Sequence, residues 1–204
     1  DLVATHFALY TVPALPLFDD VPLVVHFHGP WGEESRVEGE SSFIVRAKAL
    51  LERSVYRRGT RFIVLSTAFR DVLVRKFGID PERIHIVPGG VHADAFDTGL
   101  SRRDAREQLG WSPGRPVIVS VRRLARRMGL ENLIEAIDRL RARLPDVMLY
   151  IAGKGPLQDE LQSQIDARGL NDHVQLLGFV PEADLPLVYR AANVSIVPTV
   201  ALEG

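Results

Sequence analysis

The chain has 204 residues, enough for one large domain or two small ones. Its 46% hydrophobic and 25% charged content is that of an ordinary globular protein. With 25 Lys and Arg against 26 Asp and Glu, the net charge of -1 argues against a broad nucleic-acid surface but leaves room for a local basic pocket holding one phosphate group.

The chain contains no cysteine, so disulfides and thiolate metal sites are impossible, and a reducing compartment fits. No stretch approaches the ~20 apolar residues that span a bilayer. No signal peptide is visible. The first residue is Asp1, so the native start is expected to lie upstream.

Short β-rich runs alternate with helical patterns. Residues 1–4 read as a strand from the middle of a sheet, and 23–28 as a buried strand. Apolar residues at Phe43, Ala47, Leu50, Leu51 and Val55 predict a helix over 43–56. A strand over 61–65 follows, then a helix over 68–77 closed by Gly78, then a strand over 84–87 ending at Pro88-Gly89-Gly90.

A second series begins with a helix over 101–109 and a strand over 116–121. Leu130, Leu133, Ile134, Ile137 and Leu140 stripe the next helix. A strand over 147–152 turns through Gly153-Lys154-Gly155-Pro156 into a helix striped by Leu157, Leu161 and Ile165. A strand over 174–177, a helix over 183–192 and a strand over 194–197 complete the series.

This alternation predicts an α/β chain of two Rossmann-like, doubly wound parallel-sheet domains, 1–98 and 99–204. The chain stops at Glu203-Gly204, where a covering helix would be expected, so both domains are read as incomplete.

In such sheets ligands bind beyond the carboxyl ends of the strands. His26-Phe27-His28-Gly29-Pro30 follows the first strong strand. Alternation puts His26 and His28 on one face, either as hydrogen-bond donors to a sugar or phosphate or as satisfied core histidines. Two histidines fall short of the three protein ligands that catalytic zinc uses, so no metal site is predicted.

Arg122-Arg123-Leu124-Ala125-Arg126-Arg127-Met128-Gly129 is either a solvated basic loop or a diphosphate clamp, because guanidinium forks match phosphate oxygens. Arg123 is the leading candidate. Gly153 and Gly155 would let the backbone approach a ligand, while Pro156 gives the same turn a purely structural explanation. Glu203 lies beyond the last strand, where a carboxylate would accept sugar hydroxyls.

In this order and spacing, the motifs resemble the family 4 retaining glycosyltransferases of the GT-B fold. The matching segments are His28-Gly29, Pro88-Gly89-Gly90-Val91-His92, Arg122-Arg123-Leu124, Arg127-Met128-Gly129-Leu130, Gly153 to Pro156, Gly178-Phe179-Val180-Pro181 and Glu203-Gly204.

The resemblance implies transfer of a hexose from a nucleoside diphosphate sugar held between two domains, without a metal or other cofactor. His28 would contact the donor sugar, backed by Gly29. Arg123 would bind the diphosphate, with Arg127 and the Gly153 and Gly155 loop. Phe179 and Val180 would flank the base, and Glu203 would hold sugar hydroxyls.

The donor is a UDP-sugar or GDP-sugar. The acceptor is a glycan, a lipid or a small molecule, and nucleic acid is not a partner. A cytoplasmic setting is implied, with Arg57 and Arg58 as a thin basis for contact with an anionic membrane. Two departures stand out: Met128 occupies the place of the family's second clamp cation, and the second glutamate of the paired motif falls beyond Gly204. The chain alone is therefore expected to be inactive. The competing readings are a nucleotide-sugar epimerase of the same architecture, drawing on Glu33, Glu34 or Glu40, and a non-catalytic nucleotide- or glycan-binding module.

Overall fold

A computed structural model describes residues 1–18 and 20–200. The chain divides into two compact units, one of residues Asp1–Val91 and one beginning at His92.

The first unit is a sheet of four parallel strands, β1 (Val3–Thr5), β2 (Leu23–Phe27), β3 (Arg61–Val64) and β4 (Ile84–Ile86), ordered β1-β2-β3-β4. Parallel neighbours need crossovers. The short helix α1 (Ala8–Thr11) and a 3-10 helix over Val12–Phe18 join β1 to β2. Two helices, α2 (Trp31–Val37) and α3 (Ser42–Arg58), join β2 to β3, and α4 (Thr67–Phe77) joins β3 to β4.

Strand alternation builds the core. Leu23, Val25 and Phe27 of β2 are buried on one face with Phe62 and Val64 of β3, under Val55 and Tyr56 of α3 and Leu73 of α4. The Tyr56 and Phe77 rings meet edge to face at 4.8 Å. Helix α4 starts where the Ser66 side chain accepts the Phe69 amide and ends at Gly78, whose φ of 67° only glycine adopts freely.

The second unit is another four-stranded parallel sheet, β5 (Val117–Val121), β6 (Met148–Ala152), β7 (Val174–Gly178) and β8 (Val194–Ser195), ordered β7-β6-β5-β8. Its helices are α5 (Arg102–Gln108), α6 (Leu130–Leu140), α7 (Gln158–Ala167) and α8 (Leu185–Ala191).

Every residue of β6 is buried, because both faces are covered. Leu149 and Ile151 pack with the apolar stripes of α6 and α7, while Met148 and Tyr150 pack with α5 and α8. The Trp111 and Tyr150 rings stack at 3.8 Å. Burial of each large aliphatic side chain here is worth about 1.5–3 kcal/mol.

Several bounds differ from the sequence expectation. The opening strand is Val3–Thr5, β2 stops one residue short of His28, and β8 is only Val194–Ser195. The expected helix over 183–192 is split into a 3-10 turn over Glu182–Asp184 and α8, because Pro186 belongs at a helix start. Helix α2 was not anticipated at all. No helix among the described residues is long and apolar enough to cross a membrane.

Candidate functional site

Candidate groups lie at the carboxyl ends of the strands in each unit. In the first unit β1 and β2 run parallel with Thr5 opposite Val25, so the residues leaving both strands emerge at one edge. Three imidazoles gather there. The His6 ring stacks on His26 at 4.1 Å and faces His28 at 5.5 Å, and His6 Nδ1 lies 3.3 Å from His28 Nε2.

His26 is half-buried and His28 exposed, so neither is a core histidine. Burial, then the neighbouring His6 and His28, hold His26 below the ordinary imidazole range. The rings present faces to one another, and among the described residues no group of three or more His, Cys, Asp or Glu is arranged to hold a metal ion.

His6 is a candidate that the sequence reading missed. Its available signal was position, since it follows β1 as His28 follows β2.

Gly29 adopts φ 138°, and a Cβ there would sit 2.7 Å from Glu34 Oε1, so only glycine fits the turn from β2 into α2. That helix has no local cap. Its first amides are instead held by a carboxylate from α3. Glu52 Oε1 accepts the Trp31 N–H at 2.8 Å and Oε2 accepts the Gly32 N–H at 3.1 Å, while the Tyr56 hydroxyl donates to Oε1 at 3.2 Å. Burial raises the Glu52 carboxyl above its ordinary range, outweighing the lowering from these hydrogen bonds.

In the second unit the strand order reverses beside β5, which has β6 on one side and β8 on the other. The crevice at such a switch point is where open α/β sheets bind ligands. The loop leaving β5 there begins Arg122-Arg123. Arg123 is exposed, and its side chain has no hydrogen-bond or ion-pair partner among the described residues.

The neighbouring arginines are engaged. Arg122 Nη2 donates to Thr199 Oγ1 at 2.7 Å and contacts Met128 Sδ at 2.9 Å. Arg126 forks onto Glu160, with Nη2 to Oε2 at 2.9 Å and Nη1 to Oε1 at 3.3 Å, and Glu131 lies 3.8 Å away. Arg127 is half-buried, and its carbonyl accepts the Val200 N–H at 3.2 Å. Met128 is buried in the α6 core.

The glycines of the next loop have a structural cause. A Cβ on Gly153 would collide with the Arg122 carbonyl oxygen, and one on Gly155 with that of Leu124. Hydrogen bonds from Leu124 N to Lys154 O and from Leu157 N to Leu124 O, each 3.1 Å, lock the two loops together. Close loop packing is by itself enough to require glycine at both positions.

Beyond β7, the Phe179 ring is largely exposed, and Lys154 Nζ lies 5.9 Å from its centre. Val180 is half-buried beside it. Lys154 is a second cation at this edge that the sequence reading left unassigned. Of the expected site residues, His28 and Gly29 belong to the first unit. Arg123, Arg127, Gly153, Gly155, Phe179 and Val180 belong to the second. Glu203 lies outside the described residues.

Two parallel α/β sheets carrying these edges define the class, that of the GT-B glycosyltransferase fold. The family model described as glycosyl transferases group 1 matches residues 101–204, and that described as glycosyltransferase family 4 matches residues 1–95. The chain belongs to the group 1 glycosyl transferases, with the family 4 match covering its first unit.

Alpha-D-kanosaminyltransferase of Streptomyces kanamyceticus is 32% identical over 151 residues, covering 72% of this chain and 39% of that protein. Mannosylfructose-phosphate synthase of Agrobacterium fabrum is 29% identical over 167 residues, covering 77% of this chain and 36% of that protein. The chain thus spans 39% and 36% of the lengths of these two relatives. The crystal structure of HepE from Anabaena in complex with UDP matches with a TM-score of 0.76 at 24% identity, over 98% of this chain and 54% of that one. At that identity the likeness speaks of fold alone.

Proposed function

We propose that this chain is the donor-handling part of a retaining glycosyltransferase that moves a hexose from a nucleoside diphosphate sugar to a hydroxyl acceptor. The observation carrying this reading is the exposed, unpartnered Arg123 guanidinium at the switch point of the second sheet. A guanidinium held there without a protein counter-ion is set to receive a diphosphate. The UDP in the HepE crystal structure and the sugar-transferring names of the relatives support the same class of donor.

Phe179 offers the donor base an exposed aromatic face, and Lys154 beside it offers a charge to the phosphates. In the transfer, the bond from the anomeric carbon to the diphosphate oxygen breaks and a bond to the acceptor oxygen forms. The acceptor proton leaves with the diphosphate. Preorganised donors aimed at the departing charge supply rate, about 10²–10³ for a single such group. Arg123 fills that role for the diphosphate, and His28 reaches the sugar. Arg126 or Arg127 would supply the charge absent at Met128, each by giving up a contact it makes in the free chain, and Lys154 is a third candidate.

One observation favours a second reading. The buried, uncharged Met128 in the place of a clamp cation would suit a module that binds nucleotides without turning them over. Thermal unfolding of the chain with UDP, GDP and the corresponding monophosphates tests the binding. A diphosphate should raise the midpoint well above its monophosphate. Equal shifts for all four, or none, would end the donor assignment. Incubating the full-length protein with radiolabelled nucleotide sugar and candidate acceptors then separates transfer from binding alone.

A further inference from the structure

We propose that the outward face of α3 is a docking surface for an anionic phospholipid bilayer. This goes beyond the transferase reading and does not depend on it. Phe43 is 82% exposed and Leu50 65% exposed, with Ala47 exposed between them. Their spacing of four and three residues puts all three on one helical stripe. The rise of a helix separates Phe43 from Leu50 by about 10 Å along the axis, so both enter one plane when α3 lies flat on a surface. Ile44, 43% exposed, borders the stripe. Large apolar side chains clustered in water mark a contact site, whereas scattered ones do not.

Charge identifies the partner. Arg46, Arg53 and Arg57 are exposed along the flank of this stripe, and none has a side-chain partner among the described residues. The one carboxylate of α3, Glu52, points inward and is buried, so the helix puts no acid on its outer face. Arg53 and Arg57 also line a groove with Lys76 of α4, walled by Tyr56 and Phe77. Lys76 is paired with Glu33 at 3.7 Å, so an acid also stands at the rim of the groove. The groove is a receptacle for a lipid phosphate set beside side chains that gain by leaving water. A cationic flank next to a Phe and Leu stripe on one helix is the pattern of an interfacial segment. The chain's net charge of -1 makes this a local feature rather than a general basic surface.

Sedimentation of the full chain with vesicles tests the proposal. Binding is expected to vesicles of phosphatidylglycerol in phosphatidylcholine and not to phosphatidylcholine alone, and added salt should weaken it. Arg53→Gln and Arg57→Gln should each lower the partition coefficient about fivefold. Phe43→Ser with Leu50→Ser should abolish binding, with circular dichroism unchanged because both side chains are already in water. The proposal is overturned by absent or charge-independent binding, or by variants that bind as the parent does. It is also overturned if the chain dimerises without vesicles and the Phe43→Ser, Leu50→Ser pair dissolves the dimer, since a second copy then covers the face. Complete displacement of vesicles by millimolar inorganic phosphate would show a small-anion site instead. The nucleotide thermal shift, measured on the same variants, should stay as in the parent, so failure here leaves the donor assignment untouched.

Discussion

Glu52 and Trp31 are joined by a 2.8 Å hydrogen bond from the tryptophan amide to a carboxylate buried inside the first unit. Through it α3 holds the first turn of α2 and the His28-Gly29-Pro30 turn that precedes it. Glu52→Ala would strand the Trp31 and Gly32 amides and the Tyr56 hydroxyl in a dry site, at roughly 1–3 kcal/mol for each buried group left unsatisfied. A lowered urea midpoint with an unchanged m-value would register that loss.

The pH dependence has a definite sign. Burial raises the folded-state pKa of Glu52, so the folded chain binds more protons than the unfolded one above the ordinary carboxylate pKa. This residue's contribution to stability therefore falls as pH rises through and above that range. Comparing parent and Glu52→Gln by urea titration between acidic and neutral pH isolates it. The parent's advantage should shrink towards neutrality, and an advantage that grows would contradict the assignment.

Arg106 is a charged residue of the short helix α5, yet it is buried. Its Nε donates to Ala191 O at 2.8 Å, Nη1 to Pro113 O at 2.7 Å and Nη2 to Asn193 Oδ1 at 2.6 Å. Asn193 Oδ1 also accepts the Val117 N–H at 2.8 Å, so one guanidinium ties α5 to the end of α8 and the start of β5. Arg106→Ala should cost about 2–4 kcal/mol, and Arg106→Lys most of that, because an ammonium cannot reach three divergent acceptors. Chemical denaturation of the three proteins would rank them.

The contrast between α3 and α2 shows which features were legible in the sequence. Helix α3 was readable because Phe43, Ala47, Leu50, Leu51 and Val55 recur at helical spacing, although Phe43 and Leu50 turn out to face water. Periodicity reports a helix without saying which side is buried. Helix α2 was unreadable because its cap comes from Glu52, 21 residues away from Trp31, and nothing local announces it. The strands β2, β5 and β6 were clear from dense β-branched and apolar runs. The imidazole cluster was half legible: His26 and His28 share a strand, but His6 joins them only through the pairing of β1 with β2. The turn at Gly153 to Pro156 was legible as a strand-to-helix turn, but the contact of its glycines with the loop after β5 was not, because that loop lies elsewhere in the chain.

That loop contact is a sharp test of the second unit. Gly153 has φ 144° and its Cα faces the Arg122 carbonyl, so Gly153→Ala meets both an unfavourable backbone and a collision with an immobile main chain. A loss of about 3 kcal/mol or more is expected. Gly78→Ala provides the control, because a Cβ there meets nothing within 4 Å and only the φ of 67° opposes it, at about 1–2 kcal/mol. Equal effects at the two positions would mean that the β5 and β6 loops are not packed as described.

Arg123 should behave in the opposite way to Arg106. Its side chain is exposed and unpartnered among the described residues, so Arg123→Ala should leave the thermal midpoint of the free chain within about a degree or two, in keeping with a surface change under ~0.5 kcal/mol. Affinity for a nucleoside diphosphate should fall by about 1.5–3 kcal/mol, the worth of a hydrogen bond to a charged group, which is roughly 10- to 100-fold. Arg123→Lys should recover part of it, keeping the charge and losing the fork. Calorimetric titration of the three proteins with UDP and GDP reads this directly. The outcome that counts against the clamp is a destabilised Arg123→Ala chain whose nucleotide affinity is unchanged, because that pattern belongs to a residue that supports the fold.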